Sequence, residues 1–192
     1  DKFEQITGRD LFGKVRENMD ALLDAGIPFK LNAVAMRGFN DDELPAFIDY
    51  AMRHPIDVRF IEFMPMGEGT RWSDSCFWSA PDILDAVKGL VAIAPVEQEQ
   101  RNGGPARLYT LSGPDGPGLG RLGLISPLSS HFCTSCNRLR ITSDGALRTC
   151  LFDDREYRLR NALRHPKLGI EAVRRIVTLA TRDKPIGARL LE

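Results

Sequence analysis

The sequence predicts an α/β region followed by an antiparallel β and helical region, and three observations carry that expectation. Residues 1–60 alternate helical and strand periodicity with short links. This order implies parallel strands joined by right-handed crossovers, the unit of α/β barrels and doubly wound sheets. From about Gln98 the alternation ends, and two strand patterns flank a Gly/Pro-rich stretch with no helix between them. Further on, Asp144-Gly145 separates two more short strand patterns, a strong hairpin signal. The change of texture sets a boundary near residue 75, with 1–75 as the α/β part and 76–192 as the second region.

Taken in order, Leu11, Val15, Met19, Leu22 and Leu23 recur at helical spacing, and Gly26 then Pro28 mark the stop. Lys30 to Met36 reads as a strand whose period of two puts Lys30 and Asn32 on one face. Asn40, with Glu43 three residues on, predicts a helix N-cap ahead of the stripe Leu44, Phe47, Ile48 and Ala51. Asp57 to Met64 reads as the next strand, stopped by Pro65. Ser79 with Asp82 predicts another capped helix carrying Ile83, Leu84, Val87 and Leu90. Ala106–Leu111 and Arg121–Ser126 read as antiparallel strands around a loop from Ser112 to Gly120. Tyr157–Arg164 and Ile170–Ala180 read as helices, the second with Ile170, Val173, Ile176 and Val177 on one side.

Parallel strands are normally covered on both faces and rich in Val, Ile and Leu, so Lys30, Asn32, Arg59 and Glu62 stand out. Two readings fit them. They line a site at the C-terminal ends of strands, where the loop Met64–Gly69 also lies, or they are solvated and locally paired.

Cys133, Cys136 and Cys150 are separated by two and then thirteen residues, with Arg138 and Arg140 between the last two. A two-residue turn in the hairpin sets Thr142 opposite Leu147 and Leu139 opposite Cys150, returning Cys150 to the neighbourhood of Cys136. Alternation places Arg138 and Arg140 on one face and Leu139 and Ile141 on the other. Three thiolates suit a structural zinc completed by His131, or a [4Fe-4S] cluster with one iron left open to a non-protein ligand. The arginines favour the second, because guanidinium forks suit phosphate and a structural zinc gains nothing from them. A disulfide would leave one of the three cysteines unpaired. Cys76 reads as an ordinary half-buried thiol.

Composition narrows the function classes. Twenty-six basic and twenty-six acidic residues cancel, so no global field recruits nucleic acid or a membrane, and an anion site must be local. No apolar run is long enough to span a bilayer. Asp1 opens the chain without a signal core, which suggests a fragment or a processed chain.

The run Phe132 to Thr142, then Asp144-Gly145 and Cys150-Leu151-Phe152, closely resembles the C-terminal cluster motif of the molybdenum cofactor biosynthesis protein A family, radical S-adenosylmethionine enzymes that act as GTP 3',8-cyclases. Lys30–Gly38 through Asn40–Glu43, Arg59–Gly67 and Ile6–Arg9 also resemble that family, so the likeness covers nearly the whole chain. It implies part of an incomplete, TIM-like α/β barrel followed by an antiparallel β plus helical cluster-binding region. It implies that Cys133, Cys136 and Cys150 ligate a second [4Fe-4S] cluster. Arg138, Leu139 and Arg140 would then border GTP, Lys30 and Arg59 would reach its phosphates, and Asn32 and Met64 would contact S-adenosylmethionine. Arg59 and Met64 differ in strand parity, so one of them is expected beyond the regular strand. The implied partners are GTP and S-adenosylmethionine, in the cytoplasm, without nucleic acid or membrane, and with room for a homodimer.

Two departures accompany the likeness. The family's N-terminal C-x3-C-x-x-C motif, which holds the first [4Fe-4S] cluster, is absent, since no cysteine precedes Cys76; no residue here is therefore assigned a catalytic role. The family's closing Gly-Gly is replaced by Ala188-Arg189-Leu190-Leu191-Glu192. The expectation is a fragment lacking about the first two fifths of the enzyme and unable to start the radical reaction alone. The alternatives are the auxiliary-cluster region of another radical S-adenosylmethionine enzyme, and a nucleotide- or RNA-binding module built on a structural zinc.

Overall fold

A computed structural model describes residues 2–67, 69–97 and 104–185 of the chain. It forms two compact units, Asp1–Ser130 and His131–Glu192. In the first, α1 (Lys2–Thr7) and α2 (Phe12–Asp24) precede β1 (Lys30–Ala35), a 3-10 turn (Asp41–Glu43), α3 (Leu44–Arg53) and β2 (Asp57–Glu62). Next come α4 (Ala80–Lys88), β3 (Ala92–Pro95), β4 (Arg107–Gly113) and β5 (Gly116–Ile125). The sheet order is β1-β2-β5-β4-β3. The first three strands are parallel and the last two join antiparallel. The sheet thus continues across residue 75, because β5 pairs directly with β2.

Local chemistry accounts for most boundaries. α2 ends as Gly26 and Pro28 predict: Gly26 takes φ +64, its N–H reaches the Leu23 carbonyl and the Ile27 N–H reaches Leu22. That is the Schellman pattern, in which glycine escapes the Cβ cost of the left-handed region. Ser79 caps α4 as expected, its Oγ accepting the Asp82 N–H at 3.2 Å. Asn40 does not cap in this way. Its Oδ1 accepts the Met36 N–H at 2.9 Å and its Nδ2 donates to the Val34 carbonyl at 2.9 Å, so the side chain closes the loop after β1. The chain then enters α3 through the 3-10 turn.

The stretch Ser112–Gly120, expected as a loop, is largely strand: β4 runs to Gly113 and β5 restarts at Gly116. Gly116 takes φ +117 at the turn, while Gly118 and Gly120 allow close packing. A Cβ on Gly120 would lie 2.3 Å from the Ile56 carbonyl oxygen, 2.5 Å from that of His54 and 2.7 Å from that of Ala51. Glycine is what allows β5 to press against the link between α3 and β2. The short β3 was not legible, because Ala92–Pro95 carries no strong alternation.

One face of the sheet holds the core. Ala35, Val58, Phe60, Leu122 and Leu124 meet Leu44, Ile48 and Ala51 of α3 and Ala80, Ile83 and Val87 of α4. Phe47 sets its ring edge-on to Phe60 at 5.4 Å, within the favoured range for aromatic pairs. Tyr50 is buried, with the Arg16 guanidinium 4.9 Å from its ring centre, but its hydroxyl has no hydrogen-bond partner among the described residues. Burial pushes the Tyr50 phenol above its ordinary value of 10.0. Tyr50→Phe should therefore leave stability unchanged or raise it by about 1 kcal/mol in denaturant unfolding at neutral pH. The raised value favours the neutral phenol in the folded state, so wild-type stability should fall as pH rises through and above 10, and the variant should lack that share of the fall. A loss above about 1 kcal/mol in the variant at neutral pH would show that the hydroxyl is bonded after all.

The second unit contains a 3-10 turn (Cys133–Ser135), β6 (Arg140–Ile141), β7 (Leu147–Arg148), α5 (Leu159–Arg164) and α6 (Gly169–Arg182). The predicted hairpin forms, with its register shifted by one residue. Arg140 pairs with Arg148 and Ile141 with Leu147, while the Thr142 N–H reaches the Ala146 carbonyl at 2.9 Å. The turn takes three residues, Ser143 to Gly145, because Gly145 adopts φ +85 and the Thr142 hydroxyl accepts the Ala146 N–H at 2.9 Å. Thr142 therefore faces Ala146 rather than Leu147. The ladder also stops before it can set Leu139 opposite Cys150. Leu147 continues the pairing to Tyr157 by two backbone bonds of 2.8 and 2.9 Å. On α6, Val173, Ile176 and Val177 are half-buried and Ala180 is buried, whereas Ile170, expected in the same stripe, is exposed.

Candidate functional site

Register and alternation place Lys30, Asn32, Asp57, Arg59 and Arg121 on one face of the sheet, opposite Val58, Phe60, Leu122 and Leu124 of the core. Lys30 pairs with Asp57, Asn32 with Arg59, Asp57 with Arg121 and Arg59 with Gly123. Lys30 and Asn32 share the exposed face of β1, as their spacing predicts. Arg59 is only 7% exposed and Asp57 is buried beside it. Asp57 bridges two guanidinium groups: Oδ2 accepts from Arg59 Nη2 at 2.7 Å and Oδ1 from Arg121 Nε at 2.7 Å. Gly123 makes room for this, since a Cβ there would lie 2.7 Å from Arg59 Cγ. Three cations and one carboxylate leave this face positive, a local anion field inside a chain of zero net charge. Arg121 and Asp57 were missed in the sequence. Asp57 opens the strand two residues before Arg59, and that spacing was the available signal.

Glu62 faces the other way and takes a different role. At 1% exposure its carboxylate accepts the Ala80 N–H at 2.9 Å, the Leu128 N–H at 2.8 Å, the Ser129 N–H at 3.0 Å and the Ser129 hydroxyl. It ties the start of α4 and the loop after β5 to the C-terminal end of β2. Of the two readings open for Glu62, local pairing holds. Met64 lies two residues past the end of β2, which resolves the parity mismatch with Arg59. Its loop is held by Trp72, whose Nε1 donates to the Phe63 carbonyl at 3.0 Å. A separate groove between α3 and α4, lined by Arg37, Leu44, Trp78 and Asp82, contains none of the site residues named from sequence.

The second unit holds the cysteines. Cys133 and Cys136 span the 3-10 turn, where the Cys136 N–H reaches the Cys133 carbonyl at 3.2 Å, and Cys150 follows β7. All are free, half-buried thiols, so no disulfide competes for them. Cys76 is likewise free; its sulfur is held in the Ser73 turn, accepting the Ser73 N–H at 3.2 Å. Among the described residues no three His, Cys, Asp or Glu side chains converge as they would around a single metal ion.

Cys136 has the most developed surroundings. Lys184 Nζ donates to its sulfur at 3.3 Å, to its carbonyl at 2.8 Å and to the Arg138 carbonyl at 2.9 Å. Burial alone would raise the Cys136 thiol, but the Arg138 N–H, the Lys184 ammonium and the Arg138 charge outweigh it and hold the thiol below its ordinary value of 9.0. Arg138 and Arg140 are half-buried, while Leu139 and Ile141 are 42% and 62% exposed. The predicted alternation is present, with the guanidinium side the more covered one. Arg138 lies 5.4 Å from the Phe132 ring centre, a cation–π distance that orients its fork. Free thiols are the donor type an iron–sulfur cluster takes, and Lys184 supplies a cationic donor to one of them. Lys184 was missed in the sequence, since a lysine 48 residues beyond Cys136 carries no local signal.

The residues named from sequence thus fall into two sets, Lys30, Asn32, Arg59 and Met64 in the first unit and Cys133, Cys136, Arg138, Leu139, Arg140 and Cys150 in the second. Comparison with known proteins extends across both. The chain is 43% identical over 187 residues to the GTP 3',8-cyclase of Alkaliphilus oremlandii, which covers 96% of this chain and 54% of that protein. It is 41% identical over 186 residues to the enzyme of the same name from Syntrophomonas wolfei, covering 96% and 55%. With that of Streptomyces coelicolor it shares 37% identity over 191 residues, covering 99% and 54%. The chain therefore spans about half the length of the curated relatives it matches. The family model described as Molybdenum Cofactor Synthesis C matches residues 56–190. With that match running through β2, the cysteine turn and α6, the chain belongs to the Molybdenum Cofactor Synthesis C family.

Proposed function

We propose that this chain is the substrate-binding part of a GTP 3',8-cyclase, which converts GTP to (8S)-3',8-cyclo-7,8-dihydroguanosine 5'-triphosphate by radical S-adenosylmethionine chemistry in molybdenum cofactor biosynthesis. The observation that carries the reading is a set of three free thiols in the same unit as Arg138 and Arg140, in a chain whose relatives share that activity by name. Cys133, Cys136 and Cys150 would hold a [4Fe-4S] cluster, which would supply Lewis-acid chemistry toward the nucleotide. Arg138 and Arg140 set two permanent cations toward the nucleotide, and Leu139 offers it apolar surface. Lys30 and Arg59 draw the phosphates, with Asp57 fixing the Arg59 guanidinium and Arg121 keeping that face positive. Asn32 and Met64 contact S-adenosylmethionine. The task of these residues is positioning, since the radical chemistry is the cofactor's.

On this reading the parallel β1, β2 and β5 are part of an incomplete α/β barrel. The small-molecule partners are GTP and S-adenosylmethionine, and the setting is the cytoplasm. Among the described residues no helix is long and apolar enough to cross a membrane.

Anaerobic reconstitution with iron and sulfide tests the metal. The wild type should retain about four iron and four sulfide per chain with absorbance near the violet, and a Cys133→Ser, Cys136→Ser, Cys150→Ser variant should retain none. Stoichiometric zinc with no iron in the wild type would sink the cluster in favour of a structural zinc module.

A further inference from the structure

The geometry points to Lys184 as a positioning residue for the cysteine turn, a three-point clamp that fixes the Cys136 sulfur and the peptide leading into Leu139. An ammonium has three N–H donors and no acceptor, and here three acceptors meet it: the Cys136 carbonyl at 2.8 Å, the Arg138 carbonyl at 2.9 Å and Cys136 Sγ at 3.3 Å. A surface lysine keeps its rotamer freedom and gains little by giving it up to one carbonyl. Lys184 is instead half-buried and saturated by a single short stretch of chain.

Its placement has a cause in the fold. α6 ends at Arg182, and the Asp183 N–H bonded to Leu179 together with the Lys184 N–H bonded to Thr181 carries the last turn past the helix end. Lys184 is thereby delivered from a helix about four turns long, a stiffer support than a free tail. The two carbonyls flank Asn137. Holding both sets the backbone direction on which Arg138 and Arg140 depend, so the clamp orients the arginine edge as well as the sulfur.

This rests on the reading of the three thiols as cluster ligands. A donor to a ligating sulfur stabilises the more negative, reduced state, so its removal should move the potential to more negative values. Two readouts separate the clamp from the cluster. In the metal-free chain, amide hydrogen exchange across residues 133–140 should quicken at least about tenfold in Lys184→Met, and return toward wild type in Lys184→Arg, which keeps cationic donors. In the reconstituted chain, Lys184→Met should retain iron with a more negative midpoint potential than wild type, and Lys184→Arg should lie between them. Unchanged exchange in Lys184→Met would overturn the clamp, as would exchange that quickens equally in both variants. Faster exchange with an unchanged potential would overturn the role at the sulfur. A wild type that retains no iron would instead count against the cluster reading, and the exchange measurement would still decide the clamp.

Discussion

Glu62→Ala is expected to lower the stability of the first unit by about 3–5 kcal/mol, a large share of what holds a domain together. The carboxylate is the acceptor for three backbone N–H groups, those of Ala80, Leu128 and Ser129, and for the Ser129 hydroxyl. Removing it leaves those donors without their acceptor, each costing about 1–3 kcal/mol where water cannot replace it. The Ala80 N–H lies in the first turn of α4, where helix donors have no intrahelical acceptor, so the loss also weakens that helix start. Glu62→Gln should cost less, because one oxygen survives, but its NH₂ must face an N–H group on one side. Both tryptophans of the chain, Trp72 and Trp78, lie in this unit, so fluorescence during denaturant unfolding reports on it directly. A Glu62→Ala midpoint equal to wild type would mean that the carboxylate is not the tie between β2, α4 and the loop after β5.

Gly120→Ala is expected to cost about 3 kcal/mol or more, although it adds one methyl group. The new Cβ would meet three carbonyl oxygens at 2.3 to 2.7 Å, those of His54 and Ile56 in the link from α3 to β2 and that of Ala51 in the last turn of α3. Flexible side chains can step aside; these atoms cannot without moving β2. The Ile56 oxygen also accepts the Arg121 N–H at 2.9 Å, so relief of the clash would break a bond at the start of the β2–β5 pairing. The same unfolding measurement should show the loss. Gly118→Ala, whose nearest contact is the flexible Met52 side chain at 2.6 Å, should cost less than Gly120→Ala. Equal costs would indicate that strand propensity rather than this packing explains the glycines.

How much of this was legible follows from what acts locally. The strand parity of Lys30 and Asn32, the Ser79 cap and the Gly26 stop depend on residues a few positions apart, and each holds in the structure. Asn40 shows the limit: its type suited a cap, but Val34 of β1 and Met36 just after it offered two backbone partners, and closing that loop satisfied them both. Gly120 read as part of a loop because its cause, the carbonyls of Ala51, His54 and Ile56, is distant in sequence. The Asp-Gly signal gave the hairpin but not its register, since the choice of a three-residue turn lay with Thr142 and Gly145 together. At the site, the cysteine spacing and the arginine alternation were visible. Arg121 bridging through Asp57, and Lys184 beneath the cysteine turn, reach their partners only through the fold.

In the proposed function, Cys133, Cys136 and Cys150 act with Arg138 and Arg140 to bind GTP. Titrating GTP into the anaerobically reconstituted chain, with the Arg138→Ala, Arg140→Ala double variant alongside, tests it most directly. Two charge-assisted contacts are worth roughly 3 kcal/mol or more, so the variant should bind at least about a hundredfold more weakly than wild type while retaining the same iron. Equal affinity in the two proteins would remove the arginines from the site.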